Sequence, residues 1–568
     1  MGTSNSQHSM DGDSSSSSSS DRSDRGDGDV GVDGGGRQST SSVVYNTRSR
    51  SGSGRTSASI PYTSRARAIL ALTQGSILSL SSRDLPPIIR SPWSYNSDDD
   101  EDEEGSSTSA QSSSKVTETQ TLEQSEFCLM TKMGCGLKPD PKSQYSKPPP
   151  VMKLLCQRET GMKGGCGFSS HDLSSTMNHF LPNKMTVEDK YHHKAFCGTY
   201  SQDGNYFLSA CQDRILRLYR TNGKRFTLLR KIAARDVGWS ILDTAFSPDG
   251  SCCVYSSWSD SVYLVRLFGD SDSQDALQLT PIDSRFCVFS LVFSQDGQEV
   301  LCGTNDGFLY IYDRFSNQRV LKIEGHYGDV NTVAYADSTS HILYSGSDDS
   351  LCKVWDRRTL SESDPKPVGV LAGHLDGITF IEPRGDGRHL LSNSKDQTIK
   401  LWDVRRLSSE ECQRESIRAA SNQTWDYRYQ KVPSKFKSSH RSLDGDTSVM
   451  TYRGHKVLQT LIRCRFSPAA STGQRYIYTG CALGRVLIYD ALTGQTAKIL
   501  TGHKACVRDV SWHPYKPELV STGWDSLVAR WQHRSESTDC ESDEDFPSED
   551  RELGSRRKAS RQVMSSLR

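Results

Sequence analysis

The sequence predicts an all-β fold, a seven-bladed β-propeller, and three observations support this class. First, two stretches at 325–358 and 373–406 repeat one pattern: Gly-His, an apolar strand, a strand of small residues, a turn aspartate and a closing Trp-Asp. Second, the closing position recurs seven times, 42 to 47 residues apart except for one gap of 87. Third, such an interval holds four short strands, which is the period of a WD40 propeller blade.

Each repeat is aligned on its closing residue and on a turn aspartate six residues earlier. The closing residues are Tyr219, Arg266, Tyr312, Trp355, Trp402, Tyr489 and Trp531. The turn aspartates are Asp213, Asp260, Asp306, Asp349, Asp396 and Asp525, and the sixth repeat has Leu483 instead. In the fourth repeat, strands are expected near 330–334, 342–347, 351–356 and 368–371, where Val, Ile, Leu and Tyr suit a half-buried sheet.

The last repeat lacks an outer strand, because the chain after Trp531 becomes polar and acidic. The blades must close a circle, and an unpaired edge strand invites aggregation. The missing strand is therefore expected from before Phe196, near 179–185 or 190–193.

The gap of 87 residues is interpreted as an insertion at about 407–450 between the fifth and sixth repeats. This stretch has no Gly-His and no pair of alternating apolar strands. Its first half reads as helix or loop, and its second half is basic and rich in aromatic residues. Nucleic-acid grooves use that mixture, but one exposed loop favours a protein contact or no contact, so nucleic acid is not an expected partner.

Outside a propeller at 191–533, composition divides the chain into three further regions. Residues 1–147 are rich in Ser, Gly and acidic residues and are expected to be mostly disordered, with a short helix at 64–82 as the one candidate element. Residues 148–190 read as a helix–loop–helix. The tail at 534–568 is acidic and then basic, and is expected to be disordered.

The helix–loop–helix begins after three prolines with the segment VMKLLCQRET. Its candidate docking face consists of Val151, Leu154, Leu155 and Arg158, which recur at the spacing of one helix face. A second helix is expected after a capping serine, Ser169 or Ser170. The unit either packs on the propeller or docks a partner, and its residues alone leave both open.

Composition and charge argue against several classes of protein. Lys and Arg total 69, as do Asp and Glu, which argues against a general nucleic-acid coat. No secretory signal and no apolar run long enough to span a bilayer is apparent, so no membrane association is expected. The start MGTSNS fits a loose myristoylation pattern, which Ser-rich starts match easily. The 16 cysteines include no CxxC pair and are expected to be reduced thiols.

Three repeats carry a histidine, a serine, an aspartate and a tryptophan that resemble a catalytic set by residue type. The sets are His326, Ser345, Asp349 and Trp355; His374, Ser392, Asp396 and Trp402; and His503, Ser521, Asp525 and Trp531. A catalytic constellation occurs once per site, whereas a set repeated in several blades indicates a structural hydrogen-bond network. Metal-ligand spacing and a phosphate-binding loop are also missing from the sequence. We therefore expect no enzyme, cofactor, metal or small-molecule substrate.

The two clearest repeats both end in Trp-Asp-x-Arg, which places Arg358 and Arg405 after equivalent strands of adjacent blades. The two guanidinium groups are expected side by side on one face of the disc, where they can bind carboxylates or carbonyls of a partner. The other interpretation is a local Asp–Arg pair of little energetic value. Trp-Asp-Tyr-Arg at 425–428 also fits the pattern, so a single match carries little weight.

With this tandem, the sequence resembles the WD-repeat substrate receptors of cullin-4 RING ubiquitin ligases. The resemblance extends over roughly residues 150–533 and includes the segments ARDVGWSILD, TYRGHKVLQTLIRCRFSP and HKACVRDVSWHP. In that family, a helix–loop–helix ahead of the propeller docks into the damage-specific DNA-binding protein adaptor. The implied adaptor-binding residues are Arg358, Arg405, Val151, Leu154, Leu155 and Arg158.

The resemblance implies a non-catalytic subunit that bridges the adaptor and the cullin-4 complex to protein substrates for ubiquitination and proteasomal degradation. The alternative is a WD-repeat scaffold in a nuclear assembly without a ligase. The segment RRKAS at 556–560 is similar to a nuclear-import patch or to a patch that a kinase recognises. The protein is therefore expected in the nucleus and the cytoplasm.

Overall fold

The computed structural model describes residues 119–137, 151–160, 168–269, 273–280, 286–436 and 442–535. In these ranges the chain forms seven four-stranded antiparallel sheets, which are the blades of a propeller. The predicted seven-bladed fold is confirmed. The candidate helix at 64–82 and the tail beyond residue 535 lie outside the described residues.

The strands follow one another in chain order, with the innermost strand of each blade first. Blade 1 contains β2 (Ala195–Tyr200), β3 (Tyr206–Cys211), β4 (Ile215–Arg220) and β5 (Thr227–Ala233); blade 2 contains β6 (Asp243–Phe246), β7 (Cys252–Ser256), β8 (Ser261–Arg266) and β9 (Gln274–Gln278). Blade 3 contains β10 (Val288–Phe293), β11 (Glu299–Thr304), β12 (Phe308–Asp313) and β13 (Gln318–Glu324); blade 4 contains β14 (Val330–Tyr335), β15 (Ile342–Ser347), β16 (Cys352–Asp356) and β17 (Gly369–Leu371). Blade 5 contains β18 (Ile378–Pro383), β19 (His389–Ser394), β20 (Thr398–Asp403) and β21 (Met450–Arg453); blade 6 contains β22 (Cys464–Phe466), β23 (Tyr476–Gly480), β24 (Arg485–Asp490) and β25 (Thr496–Thr501). Blade 7 contains β26 (Val507–Trp512), β27 (Glu518–Gly523) and β28 (Leu527–Gln532), and its outer strand is β1 (Lys184–Lys190).

Strand β1 closes the ring from the N-terminal side, as the polar sequence after Trp531 requires. It pairs antiparallel with β28, so that Met185 lies opposite Trp531 and Val187 lies opposite Ala529. The strand begins inside the first predicted range, 179–185, and ends where the second one, 190–193, begins. This pairing covers the edge that the C-terminal strand would otherwise expose.

Buried apolar side chains fill every interface between neighbouring blades. Phe207 of blade 1 packs in one cluster with Val520 of blade 7, and Leu343 of blade 4 packs with Leu301 of blade 3. Alternating Val, Ile, Leu and Tyr on each strand supply both surfaces of a blade, since both sheet faces contact a neighbouring sheet. The core is therefore a ring of inter-blade layers.

Buried ion pairs beside the innermost strands link blade 6 to its neighbour, blade 7, and to the more distant blade 2. Arg463, which directly precedes β22 of blade 6, donates to Asp243 of blade 2 at 2.6 Å and to Asp509 of blade 7 at 3.2 Å. Arg465 donates to the other oxygen of Asp509 at 3.2 Å. Because blades 2 and 6 are separated in the ring by blades 7 and 1, this pair spans the centre of the propeller.

The described helices lie outside the blades. They are α1 (Glu126–Gly134), α2 (Val151–Glu159), α3 (Ser170–Met177), α4 (Glu410–Ser421) and α5 (Ala469–Thr472), with a 3₁₀ turn at Ser434–Phe436. Residues 119–123 are also helical. The prediction of disorder across 1–147 is therefore wrong for residues 119–137, because Leu122 and Phe127 become fully buried against blades 5 and 6.

The insertion lies within blade 5, between the third strand β20 and the fourth strand β21. Its first half forms α4, which begins at the capping residue Ser409 and buries Cys412, Ser416 and Ala420. Ser416 donates a hydrogen bond to the carbonyl of His374 at 2.6 Å. The insertion thus packs against the loop that enters blade 5.

The described part of the chain contains no helix that is long and apolar enough to cross a bilayer. Its cysteines are all free thiols, and all of them except Cys156 are buried. No group of His, Cys, Asp and Glu side chains in these ranges could hold a metal ion.

His455 gives a testable pH dependence of stability. Its Nε2–H donates to Asn393 Oδ1 at 2.9 Å, and its Nδ1 accepts from the Tyr489 hydroxyl at 3.3 Å. Burial lowers its pKa to about 4, whereas an unfolded histidine has a pKa of about 6.5. Between these values only the unfolded chain binds the proton, so stability falls as the pH falls. We expect His455→Gln to remove roughly 2–3 kcal/mol of this pH-dependent loss between pH 7 and pH 4.

Chemical unfolding of wild type and variant at a series of pH values measures this difference. His192→Gln, at an exposed histidine, is the matched control and should leave the pH dependence unchanged. Parallel curves for wild type and His455→Gln would contradict the assignment.

Candidate functional site

The strand register divides the propeller turns between two faces. In blade 4, Ile342 pairs with Asp356, so the start of the second strand and the end of the third strand lie at the same face. Arg357 confirms this closeness, since its N–H donates to the His341 carbonyl at 2.7 Å. We call this side the arginine face, because Arg358 and its blade 5 counterpart follow the third strands there. The opposite side, with the turn aspartates and the Gly-His loops, is the aspartate-turn face.

The repeated histidine sets form closed hydrogen-bond networks. In blade 4, His326 Nδ1 bonds to Asp349 at 2.9 Å and its Nε2 bonds to Ser345 Oγ at 2.7 Å, while the Trp355 indole N–H donates to the same serine at 2.8 Å. Blades 5 and 7 repeat this arrangement, with all corresponding distances between 2.6 and 3.0 Å. The members are His374, Ser392, Asp396 and Trp402 in blade 5, and His503, Ser521, Asp525 and Trp531 in blade 7.

The electrostatics of these networks suit a structural role. Burial alone would raise the pKa of Asp349, but the charge of His326 and its hydrogen bond hold that pKa below its usual value. The same balance of burial against a histidine lowers the pKa of Asp396 and of Asp525. Each serine accepts from the indole and bonds the imidazole, so its oxygen is already engaged on both sides. The three networks tie the loop entering a blade to the turn between its second and third strands.

The Trp-Asp-x-Arg motif encodes a local turn. In each copy the aspartate Oδ1 accepts a hydrogen bond from the N–H of the arginine two residues later, as in an Asx turn. The distances are 3.0 Å for Arg358 and Asp356, 3.1 Å for Arg405 and Asp403, and 3.0 Å for Arg428 and Asp426. The third copy is not at a strand end, since Trp425 donates to Asp376 at 2.9 Å on the aspartate-turn face. The motif alone therefore predicts a turn, but it does not predict the face of the propeller on which its arginine lies.

The first two arginines lie on the arginine face of adjacent blades, with side chains 62% and 60% exposed for Arg358 and Arg405. Arg358 clamps its own aspartate, with Nε 2.9 Å and Nη2 2.7 Å from the two oxygens of Asp356. Hydrogen bonds from Arg358 lower the pKa of Asp356 to about 2. The Arg358 side chain nonetheless remains largely exposed to solvent.

Arg405 has a different partner. Its Nη2 donates to Oε2 of Glu126 on helix α1 at 2.6 Å, and its Nε lies 3.7 Å from Asp403. The carboxylate of Asp403 instead accepts two hydrogen bonds from the Arg388 guanidinium, at 3.0 and 2.6 Å. Arg388 also donates to Glu126. An N-terminal helix is therefore joined to the face that carries the tandem arginines.

Helix α1 begins at Ser125, whose hydroxyl accepts from the Cys128 N–H at 3.2 Å. Glu126 in the first turn and Lys132 in the last turn both suit the helix dipole. Its inner side buries Phe127, Cys128 and Thr131. The cap, the charges and the apolar spacing in SEFCLMTKMG were the available sequence signals for this helix, but the surrounding Ser-rich composition concealed them.

The connections of blade 6 hold the end of α1 in place. A Cβ on Gly473, which has a φ of +65°, would lie 2.4 Å from the Gly134 carbonyl carbon, so the two backbones meet this closely only because residue 473 is glycine. Cys135 Sγ donates to the Thr472 carbonyl at 3.4 Å. Asn178, which ends α3, donates to the same carbonyl at 3.3 Å. Helices α1 and α3 thus share one anchor on the arginine face.

The outer side of α1 exposes apolar side chains. Leu129 is 48% exposed, Met130 is 37% exposed and Met133 is 56% exposed, and all three follow Glu126 along one helix face. We call this surface the outer face of α1. Methionine and leucine on an exposed helix face are typical of helices that dock into an apolar groove of a partner.

The sequence had placed the docking residues on α2. That helix is present, but the side chains of Val151 and Leu154 lie outside the described residues. Leu155 is half-buried, and the Arg158 guanidinium lies 5.1 Å from the Phe168 ring. Their adaptor-binding role stays a prediction. The expected cap of the following helix is Ser169, which forms a capping box with Asp172.

The ring of seven four-stranded blades and the repeated networks define a protein of the WD40 β-propeller class. A family model described as WD domain, G-beta repeat matches residues 280–313, 317–356, 365–403 and 494–532. These matches correspond to the blades with the most regular repeats. A WD40 propeller points to a non-catalytic adaptor.

Comparison with individual proteins places the chain more narrowly. It is 42% identical to the LEC14B protein of Lithospermum erythrorhizon, over 68% of this chain and 82% of that protein. It is 38% identical to the DDB1- and CUL4-associated factor 11 homolog of Caenorhabditis elegans, over 70% of each protein. The corresponding protein of Caenorhabditis briggsae is 35% identical over 70% of this chain and 72% of its own length. The chain belongs to this family of WD40 proteins.

The structural role of the histidine sets is testable at Ser392. Ser392→Ala leaves the Trp402 indole and His374 Nε2 unpaired in a buried site, which costs about 1–3 kcal/mol. Urea unfolding should show this loss. Ser361→Ala, at an exposed serine, should change stability by less than about 0.5 kcal/mol. A stable Ser392→Ala protein that has lost its function would contradict the structural role.

Proposed function

We propose that the protein is the substrate-recognition subunit of a cullin-4 RING E3 ubiquitin ligase. It bridges the damage-specific DNA-binding protein adaptor to target proteins, which are ubiquitinated and then degraded by the proteasome. The observation that carries this proposal is the arginine face, where an apolar helix surface is joined to one Trp-Asp-x-Arg turn through Arg405 and the adjacent blade presents the exposed Arg358. The names of two relatives, which associate them with DDB1 and CUL4, support it.

The outer face of α1 and Arg358 supply complementary contacts to one partner. Leu129 and Met133 suit an apolar groove, where a few buried side chains provide most of the binding free energy. The exposed guanidinium of Arg358 suits a carboxylate or carbonyl at the rim of that groove. The backbone of α1 is held by blades 5 and 6, so binding requires little ordering of the helix.

The propeller contributes to ubiquitination by proximity. A rigid ring holds a target at a fixed distance from the ubiquitin-conjugating enzyme carried by the ligase, which raises the effective concentration of the target lysine. No chemical step is assigned to the propeller itself. The protein is proposed to act in the nucleus and the cytoplasm.

The target proteins bind on the aspartate-turn face, which is opposite the face proposed for the adaptor. It exposes Tyr327 by 84%, Tyr429 of the insertion by 79% and Trp239 by 49%. Tyrosine and tryptophan are enriched at protein interfaces because they combine a large apolar area with a polar tip. Opposite faces allow the adaptor and a target to bind at the same time.

The adaptor-docking role is tested on the outer face of α1. Leu129→Glu with Met133→Glu should weaken binding of the purified adaptor at least about tenfold, because two carboxylates would enter an apolar groove. Isothermal titration or a pull-down of the adaptor and cullin-4 measures this loss. Leu229→Glu, on an outer strand and 39% exposed, is the matched control and should bind as wild type. Unchanged binding by a folded double variant would contradict the docking role of α1.

The target-binding role is tested separately on the aspartate-turn face. Tyr327→Ala with Tyr429→Ala should reduce the ubiquitination of targets, because it removes exposed aromatic contact area, and should leave adaptor binding unchanged. Quantitative proteomics of ubiquitinated proteins in depleted cells that re-express each variant measures the effect. Tyr515→Ala, an aromatic 56% exposed on the opposite face, is the control. Wild-type target profiles from the double variant would exclude these tyrosines from target binding.

A further inference from the structure

The two motif arginines are equivalent in sequence but not in structure. We propose that Arg405 is a positioning residue, which fixes helix α1 on the arginine face through Glu126, and that Arg358 is left to contact the partner directly. The partner part of this inference rests on the proposed function. The positioning part concerns the free protein alone.

Arg358 is bonded only to the aspartate of its own turn among the described contacts. Both of its Asp356 contacts, at 2.9 and 2.7 Å, lie within two residues of the chain. The neighbouring Arg357 extends toward blade 3, where its guanidinium donates to the two oxygens of Glu299 at 3.1 and 2.5 Å. Arg358 therefore presents an oriented guanidinium that is 62% exposed.

The backbone N–H of Arg405 forms the same local turn, but its guanidinium does not hydrogen-bond to the aspartate of that turn. Arg388 donates two hydrogen bonds to the carboxylate of Asp403, whereas Nε of Arg405 lies 3.7 Å from that carboxylate. Arg405 instead donates to Glu126 at 2.6 Å, and Arg388 reaches the same carboxylate. Two guanidinium groups and two carboxylates thus form one network that joins blade 5 to α1.

This network determines orientation more than affinity. The partly exposed ion pairs add a modest increment to the docking of α1, whereas the fully buried Leu122 and Phe127 supply the apolar burial. Phe127 lies against the His389 ring at 5.4 Å and under the Arg384 guanidinium at 4.5 Å. Glu126 shares the outward strip of α1 with Leu129 and Met133. Holding Glu126 therefore sets the rotation at which the outer face of α1 is presented.

The inference is tested by two measurements on the full-length protein. Hydrogen exchange of residues 119–137, without any partner, reports the docking of α1. Titration with the purified adaptor reports binding. The variants are Arg405→Ala, Glu126→Gln, their combination and Arg358→Ala. Glu123→Gln, an exposed carboxylate just ahead of α1, is the matched control.

Arg405→Ala and Glu126→Gln should each speed exchange in 119–137 and weaken adaptor binding by about two- to fivefold. The combination should equal Glu126→Gln alone, since Arg405 acts only through that carboxylate. Arg358→Ala should weaken binding without changing exchange, and Glu123→Gln should change neither.

Unchanged exchange in Arg405→Ala would overturn the positioning role. Multiplicative effects of Arg405→Ala and Glu126→Gln on binding would also overturn it, because they would indicate independent contacts. If wild type itself fails to bind the adaptor, the proposed function is wrong, while the exchange measurements still decide the positioning role.

Discussion

Closure of the ring is the constraint on which the rest of the structure depends. Neighbouring blades bury their sheet faces against one another, so an open ring would expose two apolar sheet faces at once. Strand β1 completes blade 7 by pairing with β28. The buried pair between Arg463 and Asp243 then connects opposite sides of the closed ring. Loss of the Arg463 contact would remove the ion-pair partner of the buried Asp243, which is strongly unfavourable in a buried site.

The same closure brings the N-terminal helices to their surface. Helix α3 ends a few residues before β1, so the pairing of β1 with β28 fixes where the preceding chain can reach. The anchors at Thr472 and Gly473 of blade 6 lie within that reach, and they hold α1 beside blade 5. Ring closure and the position of α1 are therefore coupled through blade 6.

Comparison of sequence and structure separates local from long-range information. The blade count and the histidine networks could be predicted, because each turn and each hydrogen-bonded set lies within one repeat of fixed length. The place of the closing strand could be predicted because blade 7 lacked an outer strand. Helix α1 was missed, because its apolar side chains lie in a polar, Ser-rich neighbourhood and are buried only against blades 5 and 6. Composition averaged over a long window cannot register one nine-residue helix.

The sequence by itself determined the seven blades, their turns and the local Asp–Arg geometry of each Trp-Asp-x-Arg motif, since these depend on contacts between residues close in the chain. Only the tertiary structure distinguished the three motifs. It left Arg358 exposed on the arginine face, put Arg428 on the opposite face and joined Arg405 to Glu126. The last contact links residues 279 positions apart, and neither its partner nor its geometry is encoded near either residue. Ring closure and helix docking decided it, because they alone bring the two side chains together.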